Sequence, residues 1–294
     1  MSRDPAPRLA VPQTYSLPVP LGEGLTESDL AALRAAVAAL ERQTFAGRLA
    51  ALAGRGKGFG ALTLSPRLQA AAASAAHKAL TLSMKAALAS LDGRPVRDRA
   101  RLHRRLAALT GGVGGAMGLV SLPLELPLST TIMLRSIAEI ASSEGENLRS
   151  PHAALACLEV FALGGHAAEE NLLEGGYLAL RALMAKSVTD AAHYLTARRV
   201  VDEAAPALAR LIGQFAARFG VVVSQKTAAQ AVPVIGAVSG AAINVVFMEH
   251  FQTLARGHFA VRRLERLYGP LLVHAEYAKI ARDEGYWRDP SRAA

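Results

Sequence analysis

The chain has one cysteine, Cys157, so it can close no internal disulfide, and its folding suits a reducing cytoplasm. Aromatic residues make up only 5% of it. Runs that alternate β-branched or aromatic residues with polar ones are missing, which removes the usual material of a sheet. Catalytic signatures are missing too. Gly236-Ala-Val-Ser-Gly240 sets its serine one place too late for a nucleophile elbow and lies in a helical pattern, and there is no Ser-x-x-Lys. There is no Glu-x-x-His and no His-Glu-x-x-His, so the di-iron bundle and zinc-protease arrangements are excluded. The loop Gly54 to Gly60 is glycine-rich, but Gly56-Lys57 is followed by Gly58 rather than Ser or Thr, so it is not a phosphate-binding P-loop. No cofactor and no metal site follow from these patterns.

Alanine and leucine dominate what is present. The 294 residues are 51% hydrophobic and 19% charged, enough to bury a sizeable core. Small and unbranched side chains favour closely packed helices, and the fold class expected is all-α: a single bundle-like globular domain with glycine- and alanine-rich central helices. Residues 1–25 read as a disordered, proline-rich leader without the apolar core of a signal peptide, and 26–294 as one helical domain. Thr26 and Asp29 mark a helix start in capping-box style. Further helices are expected over Pro66–Leu91, Val96–Leu109, Ser129–Ser143, Pro151–Leu163, His166–Leu183 and Ser187–Phe219. Val221–Leu267 reads as one or two long helices bent near Pro233. The segment Thr110–Leu128 is apolar and glycine-rich, and Pro123 and Pro127 are expected to break it.

Three blocks carry a family resemblance. They are Leu122-Pro-Leu-Glu-Leu-Pro-Leu-Ser to Ala141 with Glu144-Gly-Glu-Asn-Leu148, then Cys157-Leu-Glu-Val-Phe-Ala-Leu-Gly-Gly165, then Gln230-Ala-Val-Pro-Val-Ile-Gly to Asn244. The third continues through Ala255-Arg-Gly-His-Phe259 to Tyr268-Gly269. The chain resembles the EcsC family of bacterial proteins over Leu25 to its C-terminus. That resemblance implies a helical fold and, from the family's genetic setting, the neighbourhood of an ABC exporter.

The net charge of +9 and pI of about 10.1 call for an anionic partner. Arg97, Arg99, Arg101, Arg104 and Arg105 stand directly before the glycine-rich apolar segment, a pairing that an anionic bilayer face attracts. Read plainly, the same cluster is a solvated helix face. Nucleic acid is not the expected partner: no stacking aromatics interleave the basic residues, and no helix-turn-helix, zinc-finger or RNP signature occurs. Thr227 to Met248 carries no formal charge and is long enough to span a bilayer. It contains Gln230, Pro233, Ser239 and Asn244, which lipid tolerates poorly, so a buried helix of a soluble bundle is favoured over a span. Gly236, Gly240 and Asn244 share a helix face, and Gly111 to Gly118 repeats the small-residue pattern; the two faces are expected to pack together.

Polar residues inside apolar stretches need partners. Lys226 and Asn244, with Glu125, are expected to form an internal network, and His258 is the histidine kept as a candidate fourth member of a polar pocket. The pairs His166 with Glu169, Asp190 with His193, and Glu249 with His250 read as surface pairs or satisfied interior groups rather than ligands. Two functions remain. One is a non-enzymatic accessory protein, cytoplasmic and peripheral at the inner membrane, that touches anionic lipid or a membrane transporter. The other is a hydrolase-like enzyme or apolar-ligand binder that uses a pocket between the glycine-rich helices.

Overall fold

The computed structural model describes residues 24–42, 44–52, 66–89, 122–165, 176–198, 205–230 and 236–287. These form nine α-helices and no strand. They are α1 (Glu27–Glu41), α2 (Phe45–Leu52), α3 (Pro66–Ala89), α4 (Leu122–Ser143), α5 (Pro151–Leu163), α6 (Gly176–Arg198), α7 (Pro206–Gln230), α8 (Gly236–Tyr268) and α9 (Pro270–Asp283). The all-α architecture is therefore observed. The proline-rich leader up to residue 23, the basic segment 97–105, the glycine run 111–118 and His166 to Glu170 lie outside the described residues.

Several helix limits differ from the sequence expectation. α4 begins at Leu122 and runs through Pro127 instead of starting at Ser129. Pro123 falls in the first turn, where a backbone N–H has no intrahelical acceptor anyway. Pro127 forgoes one bond, and its carbonyl accepts from Thr131 Oγ1 at 2.8 Å. The predicted gap between Leu183 and Ser187 does not exist, because Ala, Leu, Met and Lys carry α6 straight through it. The interruption falls instead just ahead of Pro206, which opens α7 at the position where proline is preferred. α7 then passes Gly220 without a break.

α8 is the axis. Asn244 meets Glu125 and Gln252 meets Ser136, so α4 runs parallel to it. The pairs Tyr177–His258 and Arg181–Glu265 make α6 parallel as well. Numbering falls on α1, α5 and α7 as it rises on α8, which makes these three antiparallel: Leu40 lies against Gly257 and Asp29 against Arg263, Gly164 lies beside Phe251, and Lys226 and Phe219 lie beside Phe247 and Phe251. α3 sits outside this ring and packs on α4, α7 and α5. The scarce aromatics are concentrated where they count. Phe45, Phe161, Phe219, Phe247 and Phe251 form one chain of ring contacts at the centre, with centroids 5.1–6.1 Å apart.

Candidate functional site

Glu125 enters from the first turn of α4, Lys226 from the last turns of α7, and Asn244 from the early part of α8. Lys226 Nζ donates to Glu125 Oε1 at 2.7 Å, and Asn244 Nδ2 donates to the same oxygen at 3.1 Å. The lysine has no exposed surface, and its ammonium stands 4.9 Å from the Phe247 ring centroid. Burial pushes the ammonium below its ordinary range, while the charge and hydrogen bond of Glu125 pull it partly back. One carboxylate oxygen thus ties three helices together.

His258 does not join this cluster. It lies about four turns further along α8, roughly 21 Å by helical rise. Its Nδ1 is 2.9 Å from Tyr177 Oη, and its Nε2 is 3.9 Å from Glu159 Oε2, too far for a hydrogen bond. Burial, with Arg181 and Arg262 nearby, drives the imidazole well below its ordinary pKa, so it is neutral. Burial raises Glu159, against the opposing pull of the same two arginines. Tyr177 stacks on Tyr277 at 5.6 Å, and Tyr277 Oη and the Tyr177 backbone N–H both donate to Glu41 Oε1, at 2.8 and 3.0 Å. Gly176, at φ +35°, lets the chain enter α6 against that carboxylate, since any Cβ there would collide with it.

A third cluster joins the ends of the helices. Arg262 makes two hydrogen bonds to Glu146, Arg263 bridges Glu144 and Asp29, and Arg266 pairs with Glu146. Arg181 grips Glu265 through both oxygens, at 2.7 and 3.1 Å, and His274 Nε2 reaches the same carboxylate at 2.6 Å. Burial disfavours the Glu265 charge, but the hydrogen bonds and charge of Arg181 outweigh this and hold it below the usual carboxylate range. Arg262, Arg263 and Arg266, in the last turns of α8, are therefore occupied.

The structure thus brings Glu125, Lys226 and Asn244 together and sets His258 apart. Arg97, Arg99, Arg101, Arg104 and Arg105 lie outside the described residues. Gly236 opens α8 and Gly240 follows one turn later, but the surroundings of that face also fall outside the described residues. Among the described residues, no three His, Cys, Asp or Glu side chains are placed to hold a metal. Sequence reasoning missed Glu41, Glu159, Tyr177, Arg181 and Tyr277. Glu159 alone carried a signal: it is a carboxylate inside the apolar helix Pro151–Leu163, the same anomaly that marked Lys226.

An all-α bundle wound on one long helix and keyed by buried carboxylates is the class of protein that fold and site define. Residues 67–264, the greater part of the chain, match the EcsC protein family, and the chain belongs to that family. No curated protein and no solved structure matches it.

Proposed function

We propose that this chain is a non-enzymatic accessory protein that works at the cytoplasmic membrane face, in contact with anionic lipid or a membrane transporter. The observation that carries this reading is that Glu125, Lys226, Asn244 and His258, the candidate polar groups, are shut inside. Lys226 and His258 have no exposed surface, and Asn244 and Glu125 have 1% and 7%. Buried, mutually paired groups hold helices together, and a substrate would have to unpack the bundle to reach them.

What remains for an outside partner is charge and apolar chain. The segment with Arg97, Arg99, Arg101, Arg104 and Arg105 leads through its glycine-rich apolar stretch into α4, at the end of the bundle where Glu125 sits. Peripheral contact is favoured over spanning. The uncharged run from Thr227 to Met248 is shared between two helices, with α7 ending at Gln230 and α8 starting at Gly236. α7 is long and apolar enough to cross a membrane by length and composition, but half of its apolar window is buried within the bundle, which supports a core helix. The transporter alternative rests on the exporter neighbourhood implied by the family resemblance.

The test is binding of the full chain to vesicles. Binding is expected to anionic vesicles only, to weaken with salt as exposed charges are screened, and to weaken further on changing Arg101, Arg104 and Arg105 to Gln. Equal binding to neutral and anionic vesicles would defeat the electrostatic reading, and saturable uptake of a fatty acid by the free protein would favour the ligand-binding alternative.

A further inference from the structure

The charge of this protein is unevenly placed along the chain. Between residues 43 and 121 there are twelve lysines and arginines, and Asp92 and Asp98 are the only acids. The remainder of the chain is nearly neutral, so the net charge of +9 belongs to this stretch. Its principal described element is α3, Pro66–Ala89, which contains no acidic residue.

α3 is two-sided. Ala72, Ala76, Ala79, Leu80, Ser83 and Met84 are buried on the side that packs against α4, α5 and α7. Arg67, Ala71, Ser74, Lys78, Leu82 and Lys85 follow one another at intervals of three or four, so they share one face. All six are exposed, Leu82 at 40% of its surface. A face of cations interleaved with alanine and one leucine can approach a headgroup layer closely, with lysine stems lying along apolar chains and their ammonium groups at the phosphates.

We propose that this face of α3 is the rigid footprint with which the protein lies on an anionic phospholipid surface. The inference rests on the membrane reading above and names the part of the fold that meets lipid. Charge complementarity selects the occupant. A second copy would set the same cations against each other, and the chain's own segment after Ala89 is basic too. The face lacks aromatic residues on which nucleic-acid bases would stack. Late α8 is no competing footprint, since Arg262, Arg263 and Arg266 are engaged with Asp29, Glu144 and Glu146.

The buried thiol makes a clean experiment possible. Cys157 is 2% exposed and burial pushes its pKa up to about 12, so a cysteine introduced at Ser74 can be labelled selectively. An environment-sensitive dye on Ser74→Cys should shift to the blue and lose access to an aqueous quencher with phosphatidylglycerol vesicles, and recover in high salt. The same dye on Leu271→Cys, at the 88%-exposed corner between α8 and α9, should remain in water. Changing Arg67 and Lys78 to Gln together should weaken vesicle binding on the order of tenfold. If unlabelled parent binds anionic vesicles while the Ser74 dye stays in water and the double variant binds like the parent, the α3 footprint is wrong and the membrane reading stands. If the parent binds no vesicle, both fall. Equal affinity for duplex DNA and for vesicles at the same salt would also overturn the choice of lipid.

Discussion

Lys226 lies in an interior that disfavours an isolated ammonium, and Glu125 keeps it paired. Such a pair gains little over well-packed apolar residues, but removing one partner strands the other. Lys226→Met should therefore lose about 3–5 kcal/mol in urea unfolding. Glu125→Gln combined with Lys226→Met should recover much of that loss, because a neutral amide at 125 still accepts from Asn244. Additive losses would mean the two do not interact. His258 gives a pH dependence. It faces Tyr177 and Glu159, with Arg181 and Arg262 close by, and burial holds it neutral in the folded protein. Below the ordinary value of 6.5 the unfolded chain binds a proton here that the folded chain refuses. Its contribution is thus complete above that pH and fades as pH falls through it, by at most about 1.4 kcal/mol per pH unit. Glu159, raised by burial, contributes in the opposite sense: its share is complete below 4.5 and is lost as pH rises through its folded value. Comparing His258→Gln with the parent isolates the histidine. The unfolding midpoint of the variant should depend less on acid between pH 7.5 and 5.5, two values that bracket the ordinary histidine pKa of about 6.5; parallel curves would place the parent imidazole in contact with water.

At the scale of helices, sequence patterning went far where periodicity and capping decide the outcome. Thr26 caps α1 by accepting from the Asp29 N–H at 3.2 Å, as its spacing with Asp29 implies. Lys226, Asn244 and Glu125 stood out because each is polar within an apolar helix. Tyr177 and Glu41 did not, since both come from ordinary-looking helices and meet only through the register of α6 and α1 on α8, which no local pattern encodes. The α4 start differs from the expected Ser129 because Pro123 falls in the first turn, where proline is tolerated, and Pro127 is carried inside the helix at the loss of one hydrogen bond. Close helix approach is expected at Gly236 and Gly240, whose surroundings lie outside the described residues; among the described residues it is seen at Gly165 and Gly257. A methyl at Gly257 would sit 2.8 Å from Leu40 Cγ and 3.1 Å from the Ala36 carbonyl oxygen, and one at Gly165 would run into the backbone carbonyl of Arg218. Both glycines lie in the blocks that carry the family resemblance, where they served as marks of membership rather than of packing. Gly257→Ala should cost about 1–3 kcal/mol. Gly165→Ala should cost more, because its obstacle is backbone and cannot rotate away. Thermal melts of the two variants check the order, and a parent-like melt for Gly165→Ala would refute the α5–α7 contact.

For the whole molecule, a polar-keyed bundle forms around α8, and the positive charge of the sequence is concentrated in residues 43–121. The acids of late α8 and its surroundings are matched by arginines, while residues 43–121 keep an unmatched excess of positive charge in the sequence. A long-range field of that kind acts on an extended anionic surface and decays over about 8 Å at physiological salt. The proposed membrane contact calls for attachment that ionic strength controls, in contrast to insertion, which salt leaves untouched. Fractionating cells that make the full chain into low-salt soluble, high-salt-released and detergent-released pools tests this most directly. The account predicts that the protein sediments with membranes at low salt and moves to the salt-released pool. Recovery wholly in the low-salt soluble pool, or release by detergent alone, would contradict it.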